Sequence, residues 1–168
     1  MERWQRINVA ADSEARELLR LCCGASAWIE QMLALRPYAD REEVLNAARD
    51  IWFALPPDQW REAFAHHPRI GDLDSLRRKF PSSAPLSERE QAGVDAAPPA
   101  VLQALLDGNR VYEARFGHIF IVCATGKTAE EMLAMLNARL KNGQAVETRI
   151  AAEEHARICE LRLLQESI

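Results

Sequence analysis

The chain has 168 residues, 48% of them hydrophobic, and a formal net charge of -4, which suits one folded domain with a sizeable core. A chain of this charge is not expected to bind nucleic acid, because neutralising phosphates requires a basic surface. No apolar run approaches the ~20 residues that a membrane-spanning helix needs. The two ends match neither a signal peptide nor a lipidation signal, so we expect a cytoplasmic protein without membrane attachment.

The first fifty residues show the 3.6-residue spacing of amphipathic helices. Ser13 is placed to cap one helix and Ser26 to begin another. Asp40, followed three residues later by Glu43, is a variant of the capping box at the start of a third helix. These signals predict consecutive helices joined by short connections.

A short helix opens at Asp58 and is predicted to end by His67, because the following Pro68 disfavours helical geometry in the residue before it. Residues 68–86 then form the longest polar, irregular stretch of the chain. The sequence Ser87–Glu90 has the spacing of another capping box, which indicates that a helix resumes there.

The second half of the chain is helical except for one short run. Pro98 and Pro99 introduce a helix that Gly117 is expected to end. Residues 119–124, with the sequence IFIVCA, are apolar on both faces and strand-like. A capping box at Thr128 opens the next helix, and a final helix follows it. We predict an all-α fold.

The predicted fold is a single-domain helical bundle, residues 1–168, with about seven to nine helices and one short extended segment near 119–124. A lone extended segment has no sheet partner, so its N–H and C=O groups must bind something else. A flat ligand with alternating donors and acceptors would satisfy these groups. Pairing with loops or water is the alternative, and the sequence leaves both open.

The four cysteines are Cys22, Cys23, Cys123 and Cys159, and their spacing matches neither a C-x-x-C redox motif nor a zinc finger. On a helix the side chains of adjacent residues point about 100° apart, so the adjacent pair is not expected to bind one metal. We predict free thiols that are at least partly buried.

Thr125–Thr128 (TGKT) follows an apolar run and so resembles part of a P-loop. The phosphate cradle needs a glycine five positions before the Gly-Lys pair, and Ile121 stands there. Without that glycine the backbone cannot wrap around a phosphate. We therefore do not expect nucleotide binding.

His66 and His67 stand where a helix is predicted to end. Adjacent histidines on a helix cannot both face one metal, and no H-E-x-x-H motif is present, so no metal site is predicted. A histidine at this position can simply complement the helix dipole. The alternative is an imidazolium that serves as a proton donor near neutral pH. His118 and His155 are distant in sequence, and nothing in the pattern indicates that they converge.

Ser87 and Glu90 present a similar choice. As a capping box they need no further function. A helix N-terminus, however, also presents free N–H groups and polar side chains to a cleft. Gln91 adds an amide that can pair with the edge of a urea or imide. The two interpretations are compatible, because the serine can cap while its neighbours face a ligand.

Six stretches, in order along most of the chain, resemble the OHCU decarboxylases of urate breakdown, where OHCU is 2-oxo-4-hydroxy-4-carboxy-5-ureidoimidazoline. They are CCGASAW (22–28), RP (36–37), HHPRIGD (66–72), SEREQ (87–91), FGHIFIVCATGKT (116–128) and RICELRL (157–163). H-P-x-I-G followed by S-x-x-E-Q is specific in combination. The resemblance implies an all-helical fold, a homodimer, and conversion of OHCU to (S)-allantoin and carbon dioxide without a cofactor.

Carried over by position, the resemblance implies that His67 and Glu90 are catalytic. We assign the proton to His67, and we assign to Glu90 the hydrogen bonding that fixes the substrate and keeps the imidazole charged. Arg162 is the expected binding arginine, although Arg157 lies nearby in the same motif. The implied substrate-binding residues are Pro68, Ser87, Gln91, Phe120, Val122, Ala124 and Arg162.

Two other function classes stay open at the level of sequence. One is a lyase or hydrolase that acts on a related ureido compound. The other is a non-enzymatic helical adaptor, which would need an exposed apolar groove. No apolar stripe is left over once the core is assigned, which disfavours the adaptor.

Overall fold

A computed structural model describes residues 1–70, 92–94 and 97–166. Within these ranges the chain forms eight α-helices and one 3-10 turn, Ala92–Val94, and no strand, which confirms the all-α class. No helix in the described ranges is both long enough and apolar enough to cross a bilayer. The helices are α1 Arg3–Val9, α2 Asp12–Cys22, α3 Ser26–Ala34, α4 Arg41–Ala54, α5 Pro57–Phe64, α6 Pro99–Phe116, α7 Ala129–Arg139 and α8 Gln144–Leu164.

Several predicted helix ends are confirmed. The Asp40 carboxylate accepts the Glu43 N–H at 2.9 Å at the start of α4. A full capping box opens α7: the Thr128 hydroxyl accepts the Glu131 N–H at 3.2 Å, and the Glu131 carboxylate accepts the Thr128 N–H at 2.8 Å. Gly117 ends α6 with a φ of 73°, in the left-handed region that glycine adopts without a Cβ penalty.

Two expectations for the N-terminal region are wrong. Helix α2 begins at Asp12 with Ala11 as its N-cap, so Ser13 lies inside the helix and caps nothing. Instead, the negative charges of Asp12 and Glu14 in the first turn interact favourably with the positive end of the helix dipole. The short helix α1 was also not expected. At seven residues it is too short to present a clear hydrophobic period.

The described residues form two compact units, one from residues up to 63 together with those from 156 onward, the other from residues 64–155. In the first unit, α1 packs on α2, α2 on α3 and α3 on α4. Trp28 and Trp52 are fully buried in its core. The Arg3 N–H donates to the Gln165 carbonyl at 2.8 Å within the same unit. The assignment of residues 1–168 to a single domain stays a prediction.

In the second unit, α6 packs on α7. A close backbone approach fixes the 3-10 turn: a Cβ placed on Gly93 would lie 2.2 Å from the Lys127 carbonyl oxygen, so only glycine fits without a shift. The core of this unit contains Ile70, Val94, Leu105, Tyr112, Phe116, Phe120, Val122, Ala124, Ala129, Met132 and Leu136.

The prediction of free, buried thiols is confirmed, since all four cysteines are free and buried. Burial raises the pKa of the Cys23 thiol, and it raises the pKa of Cys159 in the same unit. These thiols stay protonated and unreactive near neutral pH, because the thiolate is the nucleophilic form.

Candidate active site

His67 lies just beyond the end of helix α5. The helix ends at Phe64, and the His67 N–H donates to the Phe64 carbonyl at 3.1 Å, which confirms that the helix stops before Pro68. Both His67 and Pro68 are partly exposed. Arg69 then pairs with Glu113 of α6 at 2.7 Å. The imidazole of His67 is therefore partly exposed, and it lies two residues before an arginine that is held by an ion pair.

Two of the four histidines pack against Phe64, and a third packs against one of them. The ring centroids of Phe64 and His118 are 5.1 Å apart, and those of Phe64 and His155 are 6.1 Å apart. The His67 and His155 rings are in edge-to-face contact, 5.0 Å apart at 86°. Sequence reasoning missed this convergence. The available signal was His155 itself, which is fully buried and has only apolar residues three and four positions away on α8.

The same histidines do not form a metal centre. Among the described residues, no group of three or more His, Cys, Asp or Glu side chains is arranged to hold a metal ion. The His118 Nδ1 instead lies 3.0 Å from the Ile119 carbonyl oxygen. The observed contacts among these histidines are ring contacts.

The predicted extended segment, residues 119–124, is irregular, and all of its side chains after Ile119 are buried. We call it the central run. Its Phe120, Val122 and Ala124 side chains belong to the core of the second unit. Because the run lies in no sheet, the partners of its backbone groups have to come from elsewhere.

One set of backbone groups in the central run is bound by charged side chains. The Ile121 carbonyl accepts from Arg139 Nη1 at 2.7 Å, and the Cys123 N–H donates to Glu154 Oε2 at 2.7 Å. Lys127 Nζ donates to the Cys123 carbonyl at 2.7 Å. We call these groups, on residues 121 and 123, the bound edge.

The arginine on the bound edge is held by a buried network. Arg139 Nε donates to Glu147 Oε1 at 2.6 Å, and the guanidinium lies 4.5 Å from the Phe120 ring centroid. Glu147 is completely buried and also accepts from the Tyr112 hydroxyl at 2.5 Å. Burial, followed by the hydrogen bond to Glu147, raises the pKa of Tyr112. Sequence reasoning identified none of these three polar residues.

The intervening residues have a different backbone environment. Within the part of the chain that the structure describes, no group binds the backbone N–H or C=O of Phe120 and Val122, or the N–H of Ala124. In extended backbone, the N–H and C=O groups of successive residues point to opposite sides. The central run therefore presents an open edge formed by residues 120, 122 and 124, the residues that the family resemblance implied as ligand contacts.

The remaining predicted site residues are Ser87, Glu90, Gln91 and Arg162. Ser87, Glu90 and Gln91 lie outside the described residues. In the first unit, Arg162 is buried, 4% exposed, and its Nη1 donates to the Leu21 carbonyl at 3.0 Å. Arg157 is exposed. The choice between the two arginines as a substrate ligand stays a prediction.

A protein-family model described as OHCU decarboxylase matches residues 8–164. The chain belongs to this family. The resemblance inferred from six short stretches of sequence is thereby confirmed, and it extends over nearly the whole chain rather than over the motifs alone.

Curated relatives support the same membership. The chain is 40% identical over 147 residues to the "Uric acid degradation bifunctional protein TTL" of Arabidopsis thaliana, covering 86% of this chain and 44% of the relative. It is 33% identical over 131 residues to the "2-oxo-4-hydroxy-4-carboxy-5-ureidoimidazoline decarboxylase" of Amia calva, covering 76% and 73%. The chain thus spans less than half of the plant relative and most of the fish relative.

Two solved structures have a similar fold. A crystal structure of OHCU decarboxylase in the presence of (S)-allantoin matches with a TM-score of 0.74 and 36% identity, covering 92% of this chain and 96% of that one. An (S)-allantoin synthase structure matches with a TM-score of 0.68 at 18% identity, covering 95% and 52%, and this likeness concerns the fold alone.

Proposed function

We propose that this protein decarboxylates OHCU to (S)-allantoin in urate breakdown and needs no cofactor to do so. Family membership and the names of the relatives support this reaction. The observation that carries the proposal for this chain is the open edge of the central run, in the same compact unit as the partly exposed His67. A non-enzymatic adaptor has no use for such an edge.

The open edge is chemically matched to a ureido compound. Along extended backbone, residues 120 and 122 are ~7 Å apart, and each offers one N–H and one C=O. A urea or imide edge carries the complementary N–H and C=O groups. Two such residues, with the Ala124 N–H beyond them, would fix the orientation of a flat ring by hydrogen bonds while their side chains stay in the core.

The reaction requires one bond to break and one to form. When the bond between C4 and the carboxylate breaks, carbon dioxide leaves, the electron pair forms a C4=C5 double bond, and the electrons of the C5=N bond move to the ring nitrogen. The C4 hydroxyl then becomes the carbonyl of allantoin, and its proton goes to that nitrogen. The imidazolium of His67 gives its proton to C5, the carbon that bears the ureido group, on one face and becomes neutral. A positioned general acid of this kind contributes about 10²- to 10⁴-fold to the rate.

The remaining residues are assigned from sequence. Glu90 fixes the substrate by hydrogen bonding and keeps His67 charged, and Ser87 and Gln91 contact the substrate. Arg162 binds the carbonyl or ureido oxygen rather than the departing carboxylate, since holding the carboxylate would stabilise the ground state and slow the reaction. Glu90→Gln keeps the shape and removes the charge, so an unchanged rate in that variant would contradict the electrostatic part of this role.

The proposal includes a cytoplasmic homodimer. Four free, buried cysteines suit a reducing compartment, and the homodimer comes from the family resemblance. Light scattering on the purified chain gives the oligomeric state, and a mass of one chain at working concentration would contradict it. Fractionation of the source cells, with the protein recovered outside the cytoplasmic fraction, would contradict the location.

One assay tests the reaction. Fresh urate-oxidation product is mixed with its hydrolase and this protein, and the circular dichroism of allantoin is followed. The proposal expects rapid formation of one enantiomer. Slow racemic product with unchanged OHCU decay contradicts it and favours the adaptor. If OHCU persists while another ureido compound is consumed, the chain is instead a relative with a different specificity.

A further inference from the structure

Two consecutive residues of helix α8 contact the two parts of the proposed site. Glu154 Oε2 accepts the Cys123 N–H of the central run at 2.7 Å. His155, the next residue, has its ring 5.0 Å from the His67 ring, at 86°. All four residues belong to the second unit. A single turn of one helix therefore contacts both the proposed proton donor and the backbone proposed to hold the substrate.

Both helix residues are tightly constrained. Glu154 is 4% exposed and His155 is completely buried. They lie in the interior of a helix of 21 residues, Gln144–Leu164. Neighbouring side chains on a helix diverge by about 100°, so each of the two points to a different partner. The bond from Cys123 to the carboxylate is also short, as charge-assisted hydrogen bonds are.

We propose that Glu154 and His155 are positioning residues that together set the distance between the His67 ring and the central run; this inference rests on the function proposed above. His155 restricts the rotation of the His67 ring through the edge contact. Glu154 fixes the backbone at Cys123, and with it the residues on either side, Val122 and Ala124. A displacement of about 1 Å between a catalytic group and its substrate can reduce a rate by about 10²-fold.

A simpler role for His155 is to fill space beside Phe64, whose ring centroid lies 6.1 Å away. A filler would affect stability and leave the His67 ring unaffected. A positioning residue changes the orientation of the His67 ring and the turnover number, with little effect on the Michaelis constant. The two roles therefore differ in measurements that do not depend on stability.

The kinetic test compares His155→Leu, which removes the ring, with His155→Phe, which keeps a flat ring for the edge contact. We expect kcat of the Leu variant to fall about 10-fold or more with KM within about twofold, and the Phe variant to recover most of the loss. Wild-type kcat in the Leu variant overturns the proposal, as does an equal loss in both variants. If the Leu variant does not fold, the Phe variant decides: it must keep most of the wild-type kcat.

A second measurement is independent of turnover. The chain has four histidines, so the ring signals of a ¹⁵N-histidine-labelled sample can be assigned with single substitutions. We expect a cross-relaxation signal between the His67 and His155 rings, and a shifted His67 signal in His155→Leu. An unchanged His67 signal overturns the inference. If the protein does not decarboxylate OHCU, the kinetic test gives no result. The NMR measurement still decides whether His155 orients His67.

Glu154 has matched variants of its own. Glu154→Gln keeps an oxygen that can accept the Cys123 N–H, whereas Glu154→Met keeps the length and removes the acceptor. We expect kcat to fall about 10-fold or more in the Met variant and less in the Gln variant, with the Cys123 amide proton signal moving upfield in the Met variant. The control is Glu153→Gln, on the exposed side of α8, where Glu153 pairs with Arg149. Equal kcat in Glu154→Met and the control overturns the role of Glu154.

Discussion

The two compact units satisfy their buried polar groups differently. In the first unit, buried side chains donate to helix carbonyls: Trp28 Nε1 to Ala48 at 2.9 Å, Trp60 Nε1 to Trp52 at 2.8 Å and Arg162 Nη1 to Leu21 at 3.0 Å. In the second unit, oppositely charged side chains are buried together beside the central run, residues 119–124, whose backbone forms no helical hydrogen bonds.

The difference has a physical cause. Within a helix, most backbone N–H and C=O groups bind one another. Side chains of neighbouring helices therefore need to provide little more than close packing. Where the chain leaves regular secondary structure, buried N–H and C=O groups need partners from side chains. Arg139 and Glu154 supply them on the bound edge. This arrangement buries charge and leaves the groups of the open edge without a partner among the described residues.

The largest expected effect tests whether the second unit carries the chemistry. His67→Ala should lower turnover by about 10²- to 10⁴-fold, because the general acid is lost. Its urea unfolding midpoint should change little, since the ring is partly exposed. The matched control is His66→Ala, which should turn over OHCU at close to the wild-type rate. Near-wild-type turnover in His67→Ala would remove this residue from the mechanism.

The next effect tests the buried charge itself. Arg139→Met leaves the completely buried carboxylate of Glu147 without its cation, so the free energy of unfolding should fall by about 3–5 kcal/mol. Urea denaturation measures this loss. Arg149→Met breaks an exposed pair with Glu153 and should cost less than about 1 kcal/mol. Trp28→Phe in the first unit should cost about 1 kcal/mol. Equal losses for all three variants would contradict the comparison.

A third change tests the close backbone approach in the second unit. Gly93→Ala places a methyl group against the Lys127 carbonyl oxygen, a backbone atom that cannot rotate away. We expect a loss of about 1–3 kcal/mol, typical of overpacking. Gly143→Ala is the control, because a Cβ there meets no atom within 4 Å. Thermal unfolding of the two variants should differ clearly, and identical midpoints would show that the backbone shifts without strain.

Helix caps allow a direct comparison of the two units. Asp40 caps α4 in the first unit and Thr128 caps α7 in the second, each accepting one N–H at the N3 position. Replacing either with alanine should cost about 0.5–2 kcal/mol, measured by urea denaturation. Similar losses are expected, since a cap acts within one helical turn. A loss confined to one unit would mean that the other helix end is stabilised by packing alone.

The smallest effect concerns pH and the buried thiols of the first unit. Burial raises the pKa of Cys23 and of Cys159, so the folded thiols stay protonated where unfolded thiols, with a pKa of about 8.5, ionise. The unfolded state then binds fewer protons, and stability falls as pH rises. Between about pH 8 and pH 9.5 we expect a loss of about 1 kcal/mol per thiol. Cys159→Ala should make the slope shallower, and an unchanged slope would contradict this cause.

Local pattern predicted part of the candidate region. The apolar run of residues 119–124, without a sheet partner, predicted that its backbone groups would bind something other than a strand, and charged side chains bind those of residues 121 and 123. Pro68 predicted that helix α5 ends before it. The roles of His67, Phe120, Val122 and Ala124 came from the family resemblance and stay predictions.

The sequence by itself determined the helical class, two of the side-chain caps and the end of α5, because capping, proline geometry and hydrophobic period act within a few residues. The family was recognised from the resemblance of six short stretches. Only the tertiary structure decided that His155 meets His67, and that Arg139 and Glu154 occupy one edge of the central run. These partners are far apart in the chain, so no local spacing encodes their contact. Which polar side chains become buried together depends on how the helices pack, since burial is what makes each partner necessary.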